Sequence, residues 1–587
     1  MARRRVLFGG LVILCMSGML AMLAWALSPG GWSATDMLIM LVFLVILPWL
    51  TVGFCNALVG LLIQAFARDP LLCVNRLAAE TDPKAPLALS TAVLLCVRHE
   101  SPARLVRNLE LLAEGLIASG QARLFHVYVL SDTADLEQAA LEQRAFAELA
   151  NHWQGQLALT YRRRQSNEGF KAGNIRDFCQ RWGDAHDLAL VLDADSVMSA
   201  QAVLRLVSIM QAQPSLGILQ GLVTGTPTMH GFARLFQFGM RLGMRSYTFG
   251  SAWWQGDCGP YWGHNAVIRL DAFSAHCELP VLTNRRGKPI DILSHDQIEA
   301  VLMRRAGFDV RVYPLEDDNH EENPPNLLAF LARDLRWCAG NMQYWRLIGM
   351  PGLKFTSRVQ LLLALLMFMV APAWLSMIGL MGWSAHQASL SGAFDLTALT
   401  ILFVLVVLMV MLPKLASALY VLASTERARA FGGRVRFFAA FVVEAVFSAL
   451  LSPIMWVSQT MLLIGLLFGK HIGWQSQNRD GEQVSWRQAA RVLAPHTVLG
   501  LVLAWLWIEP GVASTWWSAY FFAGLWLSIP FAVLTAKPWF GQVLEHWRFA
   551  AVPEEFSANH FSSHLRPQAL SRGLNEPSSR PFFDSSR

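Results

Sequence analysis

Hydrophobic positions fall into two blocks separated by a long mixed stretch. Residues 6–27 and 37–67 carry no charge. A helix over the first run would be about 33 Å long, enough to cross the hydrocarbon core of a bilayer. A cleaved signal peptide is the competing reading of 1–27, but the apolar run is too long for one and a second follows at once. Five more mostly apolar runs follow the mixed stretch, at 359–382, 396–422, 437–468, 492–508 and 516–536. Residues 437–468 have basic segments on both sides, so they must cross twice or not at all. Ser452-Pro453 predicts a break and a short hairpin there, which gives eight spans. Six spans plus an interfacial segment is the alternative.

Between the blocks the pattern changes to strands alternating with helices. ALSTAVLLCV (88–97), LFHVYVL (124–130), LALTY (157–161) and LALVLDADS (188–196) read as buried strands. Residues after Ser101-Pro102, 135–149 and 200–212 read as helices. This alternation predicts a Rossmann-like parallel sheet whose ligands bind beyond the carboxyl ends of the strands. Those ends read Arg98-His99-Glu100, Ser131-Asp132-Thr133 and Asp193-Ala194-Asp195. The fold class is therefore a polytopic α-helical membrane protein with an inserted cytosolic α/β domain. Residues 1–67 form two spans, 68–350 the cytosolic domain with interfacial helices at its end, 351–550 about six spans, and 551–587 a flexible cytosolic tail.

Composition agrees: 54% of the 587 residues are hydrophobic and only 15% charged, against about 25% in soluble domains. Eight scattered cysteines with no C-x-x-C exclude a disulfide scaffold. The diffuse net charge of +6 gives no nucleic-acid footprint. Arg3–Arg5 and the basic loop 423–436 orient the chain with both termini in the cytoplasm. Neither G-x-G-x-x-G nor a P-loop is present, which disfavours dinucleotide binding and P-loop chemistry.

Asp193 and Asp195, at i and i+2 after a buried strand, could converge on one hard cation beside a diphosphate. A plain strand-to-helix junction is the bland reading. Asp132 could accept from a uracil N–H, or simply close a turn. Lys171 opens a helix after a basic run and could meet a phosphate; a solvated patch would look the same. Asp296 could deprotonate a hydroxyl, or cap its helix. Trp262, Gly263, His264 and Asn265 sit in a stretch dense in aromatic residues and glycine, suited to stacking on sugars. Arg333 and Arg336 share one helix face and could clamp a diphosphate beside Trp337, or snorkel at a membrane surface.

In order, these pieces resemble the processive family-two inverting glycosyltransferases of membranes, which include the cellulose, hyaluronan and chitin synthases. Segments 161–183, 191–199, 259–270, 293–300 and 333–343 resemble one branch, the glucans biosynthesis glucosyltransferase H family, over about 36–550. The resemblance implies a GT-A domain at the bacterial inner membrane. Its implied activity is polymerisation of glucose from UDP-glucose into a β-linked, β-1,2 backbone of osmoregulated periplasmic glucans, coupled to export. It places Glu100, Asp132, Lys171, Asn174, Asp193 and Arg333 at the donor, and Mg²⁺ or Mn²⁺ on Asp193 and Asp195. It makes Asp296, Arg336 and Trp337 catalytic and puts Trp262, Gly263, His264 and Asn265 at the acceptor. Partners implied are UDP-glucose, the growing glucan and membrane lipid, with acyl carrier protein and a periplasmic glucan-processing protein as further candidates. Two features depart from the family. Arg333 stands where the wider group has Gln, and the long cytosolic extension before the first span is expected to be absent, with any regulatory role it carries. In segment 469–491, Trp474 and Arg479 are candidates for a gating loop over the donor. The competing functions are synthesis of another polysaccharide, of cellulose or hyaluronan type, and a non-catalytic transporter or sensor.

Overall fold

The computed structural model describes the whole chain except residues 30, 83–84, 285–286, 389, 470–482, 509–517, 558 and 566–587. Among the described residues the α/β unit has twelve strands: β1 Thr91–Val97, β2 Phe125–Ser131, β3 Ala158–Arg163, β4 Leu188–Asp193, β5 Ser196–Met198, β6 Leu216–Gly221, β7 Thr224–Gly225, β8 Ala266–Arg269, β9 Leu282–Thr283, β10 Pro289–Ile290, β11 Asp309–Tyr313 and β12 Asn319–Glu321. Seven form one sheet in the order β11-β6-β8-β4-β1-β2-β3. β4, β1, β2 and β3 run parallel, as their sequences predict, but β8 pairs antiparallel to both β4 and β6, so the sheet is mixed. The apolar runs are continuous because both faces are covered. Val93, Leu95 and Val97 pack with helices Pro102–Ala118 and Leu136–His152, while Ala92 and Leu94 pack on the other face with Ile175 and Phe178. A second sheet, β5-β12-β7, adjoins the carboxyl end of β4.

Among the described residues, six helices are long and apolar enough to cross a membrane. They are Ala2–Ala26, Ala34–Phe66, Phe355–Gln387, Leu396–Leu422, Arg434–Leu467 and Trp486–Trp507. The second starts at a capping box, with Ser33 and Asp36 satisfying each other's backbone N–H. The expected eight spans are not found among the described residues. Arg434–Leu467 is one continuous helix through Pro453, not a hairpin. Proline costs that helix one backbone bond, and Ser452 Oγ donates to Ser448 O at 2.8 Å beside it. Both ends of this helix meet elements that belong to the α/β unit. Phe437 lies 5.7 Å from Phe238, and Gln459 Nε2 donates to Asp334 Oδ2 at 2.7 Å. The last apolar run, by contrast, is divided into Ser518–Trp526 and Ser528–Thr535.

One element was not anticipated. Helix Gly231–Gln255, about 37 Å long, is amphipathic and packs against the apolar helices, running alongside Ala34–Phe66 from Gln64–Arg245 to Asn56–Trp254. Its contact with helix Ala34–Phe66 has no room for side chains: a Cβ on Gly60 would fall 1.8 Å from Ser246 O, and one on Gly250 1.9 Å from Asn56 O. Ser417 Oγ donates to Leu242 O at 2.6 Å, tying the helix to Leu396–Leu422. At the far end Trp254 stacks on Phe8 at 4.7 Å, and Arg5 donates to Gln255 O at 2.7 Å. At the near end Arg234 pairs with Glu555 and Arg241 with Glu554, both at 2.7 Å. These pairs correct the expected flexible tail over its first part. Residues 551–557 are docked through these carboxylates: fully buried Arg234 takes Glu555 as its counterion, while Arg241 is shared between Glu554 and Glu316.

Candidate active site

The carboxyl ends of β1, β2 and β4 open into one pocket, closed on the other side by the loop 259–265, the start of helix Asp296–Arg305 and helix Leu327–Asn341. It is lined by Glu100, Asp132, Lys171, Asn174, Asp193, Asp195, Trp262, Gly263, His264, Asp296, Arg333, Arg336 and Trp337. These residues span more than two hundred positions in sequence. The sheet gathers them because parallel strands point their carboxyl ends the same way.

On the strand side, Lys171 donates to Asp193 and, at 2.7 Å, to Gly263 O. Burial pulls the Lys171 ammonium down, but Asp193, Cys96 and Asp195 more than offset this and hold it above the usual lysine value. The lysine is therefore a fixed positive charge. Asp195 is buried beside it. Among the described residues no group of three metal-ligating side chains occurs. Two carboxylates that leave room for phosphate oxygens and water are still a donor set suited to Mg²⁺ or Mn²⁺.

Three expected donor residues have other partners. Asp132 is held in a two-point ion pair by Arg164, at 2.7 Å for each oxygen. Asn174 Oδ1 accepts from Arg162 at 2.6 Å and its amide donates to Leu130 O at 2.9 Å. Glu100 accepts from the Arg98 backbone N–H. All three line the pocket, but these bonds also serve to hold its wall.

Gly263 joins the two halves of the site. Its φ of +81° is open to glycine, and a Cβ there would lie 3.3 Å from Asp296 Cβ. Asp296 is the first residue of its helix, where the N-terminal dipole favours a carboxylate. Ser294 Oγ donates to Asp296 Oδ1 at 2.9 Å. Neighbouring His295 pairs with Glu299 at 2.9 Å; burial lowers its pKa but Glu299 and Asp296 carry it above the usual histidine value. On helix Leu327–Asn341 the Arg333 guanidinium sits 4.8 Å from the Trp337 ring centroid, which steadies the half-exposed indole in the mouth of the pocket.

Asn265, expected at the acceptor, is a correction. It is fully buried outside the pocket lining, and its amide donates to His320 O at 3.1 Å. Its φ of +51° lets the chain turn from the loop into β8, a structural task that asparagine tolerates. Trp474 and Arg479 lie outside the described residues. Sequence reasoning missed Glu321, which lines the pocket from β12, 3.4 Å from His264. Burial raises its pKa, with His264 and Arg333 pulling against that. No local motif marks it; only the β5-β12 pairing brings it to Asp195. Ser294 was likewise read past, although it stands two residues before Asp296.

The family model for glycosyl transferase family group 2 matches residues 188–415. Curated relatives extend the match to nearly the whole chain. A protein of Xylella fastidiosa is 33% identical over 576 residues, covering 94% of this chain and 88% of its own. One of Caulobacter vibrioides is 34% identical over 529 residues, covering 86% and 78%. One of Shewanella baltica is 34% identical over 576 residues, covering 94% and 77%. Each is named glucans biosynthesis glucosyltransferase H. Among solved structures, a Pyrobaculum calidifontis mannosyltransferase in complex with GDP-Man and Mn²⁺ is 16% identical, with a TM-score of 0.40, over 62% of this chain and 98% of that one.

Proposed function

The chain belongs to the glucans biosynthesis glucosyltransferase H family, and from that premise we propose that it polymerises glucose from UDP-glucose into the β-linked backbone of osmoregulated periplasmic glucans. The observation that carries this reading is the convergence of Asp193, Asp195, Lys171, Asp296, Arg336 and Trp337 on one pocket. The proposal places the chain in the bacterial inner membrane with both termini cytoplasmic and residues 68–350 as the cytosolic catalytic unit.

In this reading the diphosphate of UDP-glucose lies between Lys171 and Arg336, whose fixed charges favour the charge that develops on the leaving group. A divalent ion held by Asp193 and Asp195 would supply further neutralisation of that diphosphate. Asp296 takes the proton from the acceptor hydroxyl as that oxygen bonds to the anomeric carbon. The bond from that carbon to the β-phosphate oxygen breaks, and the electron pair leaves with UDP. One displacement turns an α-linked donor into a β-linked product. Trp337 and Trp262 offer apolar faces on which the acceptor glucan stacks. Trp474 and Arg479 are kept as candidates for closing over the donor.

The test is membranes expressing this chain, supplied with radiolabelled UDP-glucose and Mg²⁺, with the polymer sized and linkage-mapped. A β-linked glucan that disappears in Asp296→Asn is the expected result. Product only from another UDP-sugar would move the chain to a different polysaccharide specificity. No product from any donor would favour the non-catalytic transporter or sensor.

A further inference from the structure

The residue that would act as base in the proposed reaction does not stand alone. Tyr344 follows helix Leu327–Asn341 in a 3₁₀ turn and is fully buried. Its hydroxyl lies 2.9 Å from Ser294 Oγ and 3.1 Å from Ser294 O. Ser294 Oγ in turn donates to Asp296 Oδ1 at 2.9 Å. Burial, with Asp296 nearby, holds the Tyr344 phenol well above its usual value, so it keeps its proton. The phenol proton has two acceptors, Ser294 Oγ at the shorter distance and Ser294 O; donated to Oγ, it leaves the serine proton for the carboxylate.

The surrounding contacts make this a rigid seam. Gln343 Oε1 accepts from Leu293 N at 2.9 Å, and its Nε2 donates to Asp291 O at 2.9 Å. Gly340 lies so close that a Cβ would sit 2.7 Å from Ser294 Cβ. Residues 291–294 are stitched along the segment 340–344, whose preceding turns carry Arg333, Arg336 and Trp337.

We infer that Tyr344, acting through Ser294, is a positioning residue that holds Asp296 in the orientation needed to accept the acceptor proton. The inference rests on the reading of Asp296 as base. The seam sets the base and the leaving-group clamp from one element, so the two ends of an in-line displacement keep their registry. Ser294 also fills one lone-pair direction of Oδ1, which limits rotation of the carboxylate.

The test uses the full chain in lipid nanodiscs and initial rates with UDP-glucose. Tyr344→Phe and Ser294→Ala are each expected to lower kcat about tenfold while KM for UDP-glucose stays within about twofold. The double variant should be no slower than either single one, and Ser294→Thr should recover most of the rate. Where Tyr344→Phe fails to fold, the contrast between Ser294→Ala and Ser294→Thr decides. Full kcat in the single variants, losses that multiply in the double, or a KM that rises in step with the fall in kcat would each overturn the inference. Asp296→Asn separates the two levels. If it is inactive while Tyr344→Phe is unimpaired, only the positioning role fails; if it still polymerises, the base assignment itself is wrong.

Discussion

Gln459, eight residues before the end of the long helix Arg434–Leu467, donates a 2.7 Å hydrogen bond to Asp334, which lies between Arg333 and Arg336 on the helix that closes the pocket. The membrane block thus grips the pocket wall at a buried acid. Burial raises the Asp334 pKa from 3.8 to about 6, with Gln459 and Arg333 working against the rise.

That shift has a definite sign. Between 3.8 and about 6 the folded protein keeps a proton that the unfolded chain has lost. Its contribution to stability is full below the lower value and lost as pH rises through the upper one, up to about 3 kcal/mol. Asp334→Asn removes the penalty and can still accept from Gln459. Its Tm relative to wild type should therefore climb between pH 4.5 and pH 7.5; a constant offset would contradict this.

Glu554 behaves oppositely. Burial alone would raise its pKa, but Arg241 and His320 bring it from 4.5 to about 2. Its stabilisation is present above the unfolded value and fades as pH falls through the folded one. Glu554→Gln should lower Tm at neutral pH by the equivalent of about 3 kcal/mol, and the deficit should shrink below pH 4. Thermal unfolding in detergent across that range measures it.

Under the proposed function, EDTA should abolish polymer formation and added Mg²⁺ or Mn²⁺ restore it. Asp195→Ala should lose at least about a hundredfold in kcat/KM, as expected when charge neutralisation at a leaving diphosphate is removed. Mn²⁺ titration followed by paramagnetic resonance, with UDP present, should show binding to wild type and not to the variant.

Gly60→Leu should prevent the contact between helices Ala34–Phe66 and Gly231–Gln255, since its Cβ alone would meet Ser246 O at 1.8 Å. Gly53→Ala in the same helix is the control, because nothing lies within 4 Å of its Cβ. The first variant should be lost from well-folded fractions by size exclusion; the second should match wild type.

Much of this was legible in the sequence. β1, β2 and β4 were readable because a strand buried on both faces needs an unbroken apolar run, and the acids at their ends mark where backbone pairing stops. The gathering of Lys171, Asp195, Asp296 and Arg336 followed from that topology together with the motif order. Less legible were features made only by long-range contact. Ser452-Pro453 looks like a break, yet the helix passes through it because packing outweighs one lost bond. Glu321 and Tyr344 carry no local signature; β12 pairing and a single buried hydroxyl bring them to the site. Asn265 looked like a ligand because it follows Trp262 and His264, but a left-handed backbone turned it inward.

Helix Gly231–Gln255 is pinned by Arg5 at one end, by residues 554–555 at the other, and by two glycine contacts between. A helix clamped in this way ties the α/β unit to the apolar helices near both of its ends. Under the proposed function it would work like a print head bolted to its frame: the head would hold station, and each added sugar would push the paper forward.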